Sequence, residues 1–419
     1  MISIKKSLTV VLLLCVAATI HAQDKSSSYS KKGDKHYALL QYSSAVAYYK
    51  QGYSVASESA KDQLASKVAD CYWLLRNHDS AYVWYGKVSS SDATAQYRKA
   101  ELNAMFGNYS QASSALSSMS SFSQRSAGFS KTNKMKADSA DWTLTYADNI
   151  NTDYFREFSP AASQNGLVWA TNQPKKFSKN GIMGWDNMGY ARLLSVSDNS
   201  KITSTSIPSE RKVNDPNAQD AKRPTRLAQH HSLSDVDLLG NVKIPKNLIS
   251  KLKAIQGMTT PIEFSDKIKY NVAHTSFDNA NSLMYFSGNR QEKLKNATRT
   301  VGVASAKKTD AVLSEVKFLF ADGKDHSVMH PAVHANGTTM VFASNKAGGK
   351  GGFDLYVSEK QGDGSWGTPQ SIDALNSAGN ELFPAFSTDG TLYFSSDGWA
   401  GLGGLDIYKA QLKGSAASG

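Results

Sequence analysis

Apolar and polar residues between Ser28 and Ser121 follow a helical period, and the pattern repeats along the chain. The phrase Ser44–Tyr49 aligns with Ser80–Tyr85 at an offset of 36 residues, and a third copy, Tyr109–Leu116, follows 31 residues later. Small alanines stand where neighbouring helices must approach, and aromatic residues fill the remaining gaps. The pattern predicts stacked helical hairpins, because no single hairpin can bury its apolar face alone.

Offsets near 34 residues make this region similar to tetratricopeptide repeats. We expect residues 23–121 to form an all-α tetratricopeptide-like solenoid with a concave face. Two roles stay open for so short an array: a groove that docks another protein or peptide, or a helical cap that packs on the next domain. The residues expected to contact a partner in the groove are Tyr48, Tyr49, Tyr82, Trp84 and Tyr85.

The pattern changes after residues 122–141, which are rich in Ser and Lys and are predicted to be a linker. Short strands follow, and the segment His330–Ser344 is repeated at Phe383–Ser396. The pairs Asn336-Gly337 and Asp389-Gly390 within these segments are strong hairpin signals, because both accept the positive φ angles of a tight turn. The strand after each turn alternates, so the two segments predict one repeating sheet unit.

Two weaker copies, Phe158–Thr171 and His274–Ser287, precede the strong pair. Four-stranded units of about 50 residues, each with a hairpin turn and an aromatic residue, are typical of β-propeller blades. We expect residues 142–412 to form an all-β propeller-type domain with about four recognisable blades. A long basic loop should interrupt it at about residues 203–260, where only 247–256 looks helical. The predicted fold class is therefore α+β multidomain.

The sequence ends after the fourth unit, and residues 413–419 are expected to be a flexible tail. A propeller left open after four blades would expose two sheet edges, which invite pairing with another chain. We therefore expect either a truncated product or a covering partner, with self-association through the open edges as one form of the latter.

The first 22 residues have the pattern of a secretory signal peptide. Lys5 and Lys6 supply the positive start, Ser7–Ile20 is a mostly apolar run, and Ala22 is a small residue at the predicted cleavage point. The run is shorter than a membrane-spanning helix requires, so removal is expected rather than anchoring. The mature chain is therefore expected to be exported.

Composition and charge exclude several classes of site. The two cysteines are Cys15, inside the predicted signal, and Cys71, so no intrachain disulfide and no Cys-rich zinc site is expected. The formal net charge of +11 suits an anionic partner. Nucleic acid is not expected, because the chain is exported and has no basic patch interleaved with stacking aromatic residues.

The sequence contains no recognised catalytic motif: neither a Gly-x-Ser-x-Gly elbow, nor a phosphate-binding loop, nor His-Glu-x-x-His. His326, His330 and His334 are four residues apart, but a strand would place such neighbours about 13 Å apart, too far to share one metal ion. Asp354 and Asp406 end two similar glycine-rich loops and are expected to accept backbone N–H bonds at the turns. We predict no catalytic residue, no cofactor and no metal site.

The phrases Asn376–Pro384 and Ser396–Tyr408, with the signal and the helical repeats, closely resemble one family. It comprises exported WD40-like propeller proteins that usually end in an OmpA-like peptidoglycan-binding domain, and it includes the PorE-type component of type IX secretion and gliding. The resemblance implies a periplasmic location at the outer membrane. It also implies outer-membrane or periplasmic protein partners and an indirect link to cell-wall glycan. This sequence has no OmpA-like domain, so no cell-wall-binding residues carry over.

The function predicted from these observations is a non-enzymatic scaffold that docks partners through the helical repeats and the propeller loops. The resemblance implies a role in type IX secretion or gliding. The alternative is a propeller module that binds glycan or peptidoglycan fragments on stacking platforms formed by Trp185, Trp366 and Trp399. A propeller hydrolase would need an acid–base pair in the central channel, for which the sequence offers no support.

Overall fold

The structure is a computed structural model, and it describes most of the chain beyond residue 24. The described residues are 25–89, 92–139, 144–151, 157–163, 166–173, 191–207, 246–266, 270–278, 280, 282–290, 299–320, 325–413 and 416–418. A helical region precedes a large β-domain, which confirms the coarse fold class. The described residues up to Leu102 form one compact region, and those from Asn103 onward form a second compact region. Within this part of the chain, no helix combines the length and apolar character needed to cross a membrane.

The N-terminal region is built from short helices joined by tight turns. Their bounds are 25–38 (α1), Tyr42–Ser54 (α2), Glu58–Leu74 (α3), His78–Tyr85 (α4), Ala93–Met105 (α5) and Tyr109–Ser117 (α6). The chain leaves α1, α3 and α5 through the same cap, in which Leu40, Arg76 and Gly107 adopt left-handed φ angles of 58°, 59° and 82°. In each cap the next amide N–H bonds to a carbonyl five residues back, which satisfies the last helical carbonyls. The spacing of these caps matches the two offsets of the sequence repeat.

A buried tyrosine joins successive helical hairpins in two copies of the repeat. Its hydroxyl donates to an aspartate of the preceding helix, and a basic side chain of the following helix donates to the same carboxylate oxygen. The two sets are Asp34, Tyr49 and Lys67, and Asp70, Tyr85 and Arg98. The nitrogen–oxygen distances are 2.6 Å for the lysine and 2.5 Å for the arginine. Burial, and then the adjacent carboxylate, raises the pKa of both tyrosines, so their hydroxyls remain donors.

The segment predicted to be a linker, 122–141, is largely helical. It forms Ser123–Gly128 (α7) and Thr132–Ser139 (α8), which are joined by a 3₁₀ turn. Arg125 is 0% exposed and donates to the backbone carbonyls of Trp399 at 2.6 Å and Gly404 at 3.4 Å. The linker prediction is corrected: contacts with the β-domain, rather than a local apolar period, stabilise these helices.

The β-domain consists of antiparallel meanders. Its first strands along the chain are Leu144–Ala147 (β1), Glu157–Ser163 (β2), Gly166–Thr171 (β3), Arg192–Val196 (β4), Ser204–Ile207 (β5), Thr260–Phe264 (β6), Val272–Asp278 (β7), Leu283–Asn289 (β8), Val301–Thr309 (β9) and Val312–Phe318 (β10). They are followed by Val328–Val333 (β11), Thr339–Ser344 (β12), Asp354–Glu359 (β13), Gln370–Ser371 (β14), Glu381–Phe386 (β15), Leu392–Ser396 (β16), Asp406–Lys413 (β17) and Ala416–Ser418 (β18). The sheets β11-β12-β13-β14 and β15-β16-β17-β18 are the two strong sequence repeats, and we call them the third and fourth units.

The two weaker repeats share one eight-stranded sheet of order β2-β3-β4-β6-β10-β9-β8-β7. We call β2 to β4 the first unit and β7 to β10 the second. Strand β6 joins them by pairing antiparallel with β4 and parallel with β10.

The described ends of the predicted loop at 203–260 are ordered. They form β5, which pairs with β1, and the helix Lys246–Met258 (α9), which buries Leu252 and Ile255. The basic centre of the loop, residues 208–245, lies outside the described residues. The loop prediction is therefore corrected at residues 204–207, which pair as a strand, whereas the helix predicted at 247–256 is confirmed.

The first strands of successive units contact one another in the order β2, β7, β11 and β15. In the second strands, the equivalent residues Phe286, Phe342 and Phe394 are buried in apolar cores that each unit shares with the preceding one. The sequence repeat therefore corresponds to a repeated environment, and the domain is propeller-like.

Candidate functional site

One position recurs in the first strand of every unit and interrupts its pairing. At this position Ser159, His274, His330 and Phe383 adopt left-handed backbone, with φ angles from 46° to 58°. The register with the second strand shifts at or beside each of these residues. A bulge of this kind releases a backbone N–H from the ladder and redirects the side chain.

Neighbouring units supply partners for the released N–H groups. The N–H of His330 donates to Ser287 Oγ at 2.8 Å, and the N–H of Phe383 donates to Nδ1 of His330 at 3.3 Å. Further along β11, the N–H of Val333 donates to Ser276 Oγ at 2.9 Å. Because a buried, unpaired N–H costs about 1–3 kcal/mol, these bonds help to hold each unit against the preceding one.

The four bulge side chains meet because the first strands lie side by side. We call Ser159, His274, His330 and Phe383 the axial cluster. Nδ1 of His274 lies 3.3 Å from Oγ of Ser159. The ring centroid of His274 is 4.8 Å from that of His330 and 5.7 Å from that of Phe383. The His330 and Phe383 rings stack at 4.2 Å with an angle of 25°, and Phe383 is 39% exposed, so the cluster can be reached at the phenyl ring.

Both imidazoles of the axial cluster are uncharged at neutral pH. Burial lowers the pKa of His274 to about 4, although a hydrogen bond to the backbone of Pro384 acts in the opposite direction. Burial also lowers the pKa of His330 well below its ordinary value, and the neighbouring His274 lowers it further. The cluster is therefore polar and aromatic without carrying charge.

The hydrogen bonds assign the ring protons. Nδ1 of His330 accepts from the N–H of Phe383, so the proton of this neutral ring is on Nε2. Pro384 has no N–H, so His274 must donate to its carbonyl oxygen. Since Nδ1 of His274 faces Ser159, we assign that donor to Nε2, and Nδ1 then accepts from the serine hydroxyl. Among the described residues, Nε2–H of His330 has no partner, which makes it the donor available to a ligand.

Two of the residues predicted to line a helical groove are part of the core instead. Tyr49 and Tyr85 are 1% and 0% exposed, and their hydroxyls hold the aspartates that join the repeats. The prediction that they contact a partner is corrected, because the repeat uses these aromatic rings to fill its interior.

The other three predicted groove residues are half-buried. Tyr48 and Tyr82 lie on α2 and α4, and Trp84 meets Tyr53 edge-on with ring centroids 5.0 Å apart. The ammonium group of Lys87 lies 4.6 Å from the centroid of Trp84. These residues belong to the N-terminal helical region and are not part of the axial cluster.

The predicted tryptophan platforms join units of the β-domain. Nε1 of Trp399 donates to the carbonyl of Leu375 at 2.7 Å, which ties the fourth unit to the third. Trp366 packs edge-on against Tyr285 of the second unit, with centroids 5.8 Å apart. Trp185 lies outside the described residues. The structure therefore gives Trp366 and Trp399 packing roles in place of the predicted stacking platform.

The three histidines spaced four residues apart take up separate positions. His330 belongs to the axial cluster, His334 packs edge-on against Phe386 at 5.0 Å, and His326 bonds to Asp325 at 3.1 Å. Within the described part of the chain, no group of three or more His, Cys, Asp or Glu side chains is placed to hold a metal ion.

Sequence reasoning missed the axial cluster, although it aligned the segments that contain it. The four cluster residues occupy one column of that alignment, directly before a proline in three of the four copies. Equivalent first-strand positions of a propeller-like domain converge. A column in which each copy has a different polar or aromatic residue could therefore have indicated a shared site. Columns of repeated glycines, by contrast, indicate turns.

No family model matches the chain, and no curated protein matches it. Three solved structures are similar over 66%, 79% and 74% of its length. They are a puromycin-hydrolysing peptidase from Mycobacterium tuberculosis (10% identity, TM-score 0.33), a structure from a study of two prolyl endopeptidases (10%, 0.25) and prolyl oligopeptidase B from Galerina marginata (8%, 0.26). The chain spans 40–42% of the length of these proteins.

These similarities contradict the predicted function. All three solved proteins are peptidases by name, so the prediction of a non-enzymatic scaffold, with its glycan-binding alternative, is corrected, and so is the prediction that the chain is not an enzyme. At identities of 8–10% and TM-scores of 0.33 or less, the similarity transfers no activity to this chain. The function must be argued from the residues of the axial cluster, where a histidine does lie beside a hydroxyl.

Proposed function

We propose that the β-domain binds a small organic ligand at the axial cluster. The observation that carries the proposal is the convergence of four chemically different side chains at one recurrent bulge, around a phenyl ring that is 39% exposed. The fold requires the bulge, but it does not require a serine, two histidines and a phenylalanine there. A bound ligand would cover Phe383 and accept a hydrogen bond from Nε2–H of His330.

The chemistry of the cluster selects a flat ligand that carries a hydrogen-bond acceptor. Covering apolar surface is favourable by about 25 cal/mol per Å², and the phenyl ring offers such surface. The neutral imidazoles extend the aromatic surface without the large desolvation cost of a charged group. Stacking on Phe383 and one bond to His330 would together orient the ligand.

A fragment screen on the whole chain tests this proposal. Binding is followed by NMR through the imidazole Cε1–H signals of His274 and His330. We expect F383A to weaken binding of any hit at least tenfold, because the substitution removes the stacking surface. F386A is the matched control, since Phe386 is also on β15 but packs against His334 outside the cluster. Hits that bind F383A and F386A equally well would place the ligand site elsewhere and end the proposal.

Acyl transfer is a second candidate function, favoured by the 3.3 Å between Ser159 Oγ and His274 Nδ1. In that reaction Oγ attacks an ester carbonyl while its proton moves to Nδ1. The proton then leaves with the alcohol product, and water hydrolyses the acyl-serine. Because the pKa of His274 is about 4, the base is weak and the turnover should be slow.

The acyl-transfer candidate is tested with p-nitrophenyl acetate. The rate should be constant above about pH 5 and fall as the pH drops through 4, where His274 takes up a proton. S159A should remove the activity, whereas S305A, which changes a half-buried serine of β9 outside the cluster, should leave it unchanged. Equal rates for wild type and S159A would eliminate this candidate.

We also propose the finer architecture, namely a tetratricopeptide-like solenoid followed by four propeller blades. The repeated helix caps and the two tyrosine–aspartate–base sets support the solenoid. The meanders and the equivalent burial of Phe286, Phe342 and Phe394 support the blades. An experimental structure in which these three phenylalanines have unrelated surroundings would contradict this architecture.

Export and kinship with the WD40-like OmpA family are further proposals. They rest on the pattern of residues 1–22 and on the phrases Asn376–Pro384 and Ser396–Tyr408. N-terminal sequencing of the protein recovered from the periplasm should begin at Gln23. A chain that keeps Met1 and stays in the cytoplasm would contradict export.

A further inference from the structure

Two acidic groups close in sequence to the axial cluster, Glu381 and Asp278, are paired elsewhere. On β15, Glu381 is fully buried, and its carboxylate accepts from the hydroxyls of Ser377 and Ser396 at 2.5 and 2.6 Å. On β7, Asp278 is paired with Lys360 at 3.2 Å. Neither carboxylate is a hydrogen-bond partner of the cluster histidines.

The elements packed around the two imidazoles present uncharged groups to them. Strand β2 contributes the hydroxyl of Ser159, β8 contributes Ser287 beneath the backbone of β11, and β15 contributes the ring of Phe383 and the carbonyl of Pro384. Each imidazole is also the neighbour of the other. Among the described residues, a protonated imidazole at this place would therefore have no counterion.

We infer that the ligand of the axial cluster is a planar carboxylate, and that the carboxylate binds together with one proton. This inference rests on the proposed function. The ligand supplies the counterion that the described residues lack around the two imidazoles, while the flat part of the ligand stacks on Phe383. The overall formal charge of +11 attracts anions to the protein.

The proton can be placed without breaking the bonds that hold the cluster. It is taken from solvent by Nδ1 of His274, which then donates to Oγ of Ser159. The serine hydroxyl, no longer needed as a donor to His274, turns its own proton to one carboxylate oxygen. Nε2–H of His330 donates to the other oxygen. One proton and one negative charge enter together, so the buried site stays neutral overall, as its low polarity requires.

This coupling makes the affinity depend on pH in a defined direction. The bound carboxylate favours the protonated ring, so the pKa of His274 must be higher in the complex than its value of about 4 in the free protein. Between these two values the affinity falls about tenfold for each unit of rising pH, because one proton is taken up per ligand. Above the higher value the affinity no longer changes.

Isothermal titration calorimetry of the whole chain with benzoate tests the inference between pH 5.5 and 8, where benzoate itself is ionised. Titrations in buffers of different ionisation enthalpy report the protons taken up. We expect uptake close to one proton per benzoate at the acid end, with tighter binding there than at pH 8. Benzamide, the neutral analogue of the same shape, should bind at least tenfold more weakly and without proton uptake. This part of the experiment needs no variant.

Two histidine variants test whether benzoate binds at the axial cluster. H330A should abolish benzoate binding, whereas H334A, which alters a histidine just beyond the end of β11 and outside the cluster, should not change it. Thermal melts establish that both variants are folded. Benzamide binding as tightly as benzoate, or benzoate binding without proton uptake, would overturn the inference and leave the proposed ligand site standing. The proposed function falls separately, if the fragment screen finds no ligand that is sensitive to F383A.

Discussion

The third and fourth units carry the same glycine-rich loop, at residues 347–354 and 399–406, between their second and third strands. Each loop ends in an aspartate whose carboxylate accepts a glycine N–H, at 3.3 Å for Asp354 and 3.1 Å for Asp406. This confirms the turn role predicted for both residues. The two loops nevertheless have different neighbours.

The loop of the third unit is covered by the chain that leads into the fourth. The N–H of Gly352 donates to the carbonyl of Gly379 at 2.8 Å, and the N–H of Phe353 donates to Oδ1 of Asn380 at 3.2 Å. The N–H of Glu381 then returns a bond to the carbonyl of Phe353 at 2.7 Å. The next repeat therefore satisfies the polar backbone of this loop.

The loop of the fourth unit is covered by helices instead. Gly403 lies against the backbone of Ala104 in α5, and Gly128 of α7 lies against Ala400. The guanidinium of Arg125 donates to two carbonyls of the loop. This loop is therefore a surface of the repeat that must be covered, and a helix can cover it as well as another unit can.

Replacing Arg125, which covers the loop of the fourth unit, should cause the largest loss of stability. R125A removes two buried hydrogen bonds and the positive charge that acts on Asp406, so we expect a loss of about 3–5 kcal/mol in the free energy of unfolding. Urea unfolding followed by fluorescence measures the loss. The matched control is K350A, because Lys350 is the exposed cation of the third loop and donates to the carbonyl of Asp373. If both variants unfolded at the same urea concentration, helical covering of the fourth loop would be wrong.

Adding a methyl group at the covered glycine of either loop should cause a loss of stability smaller than that of R125A. A Cβ on Gly403, which has φ of +118°, would lie 2.6 Å from the backbone of Ala104, and one on Gly351 would lie 2.1 Å from the carbonyl oxygen of Gly379. We expect G403A and G351A each to lower stability by about 1–3 kcal/mol, from overpacking and backbone strain. G362A is the control, since a Cβ there meets nothing within 4 Å. If G403A melted at the same temperature as G362A, the close contact between Gly403 and the backbone of Ala104 would be contradicted.

The smallest expected effect is a difference in pH dependence between the two aspartates. Burial raises the pKa of both, and a cation acts against the rise in each loop: the exposed Lys350 at Asp354 and the buried Arg125 at Asp406. Oδ1 of Asp354 is buried without a hydrogen-bond partner among the described residues. A raised carboxyl pKa means that the folded state holds the proton more tightly than the unfolded chain. Each aspartate therefore costs stability as the pH rises from about 4 through its folded pKa, and the cost is relieved as the pH falls.

Urea midpoints between pH 4.5 and 7.5 measure this difference. D354N should remove more of the pH dependence than D406N, because the buried Arg125 offsets the charge of Asp406 more strongly than the solvent-screened Lys350 offsets that of Asp354. The cluster histidines act in the opposite direction: their lowered pKa values cost stability as the pH falls below about 6.5. Each variant must therefore be compared with wild type at the same pH. Equal slopes for the two variants would show that the arginine does not distinguish the loops.

Much of the local architecture follows from the sequence alone. The hairpin turns at Asn336-Gly337 and Asp389-Gly390 form with positive φ at both glycines, 70° and 86°, and the alternating runs beside them are strands. The helical period and its two offsets are matched by the repeated caps. These features could be predicted because their energies depend on residues only a few positions apart.

The linker prediction failed for the opposite reason. Residues 122–141 have no local apolar period, and α7 is tied to the β-domain by Arg125, whose acceptor at Trp399 lies 274 residues away in the chain. Composition cannot reveal a hydrogen bond at that separation. The same limit applied to Tyr49 and Tyr85, since aromatic residues suited to a groove are equally suited to a core.

By itself, the sequence determined the periods, the turns and the repetition of a sheet unit, because steric preferences and hydrophobic alternation act along neighbouring residues. Only the tertiary structure decided that Ser159, His274, His330 and Phe383 form one site. No motif links them, and each occupies an unremarkable bulge when its strand is considered alone. They come together because the first strands of successive units contact one another, which brings one position of every unit to a common place. Burial there lowers the pKa of both imidazoles and removes their charge.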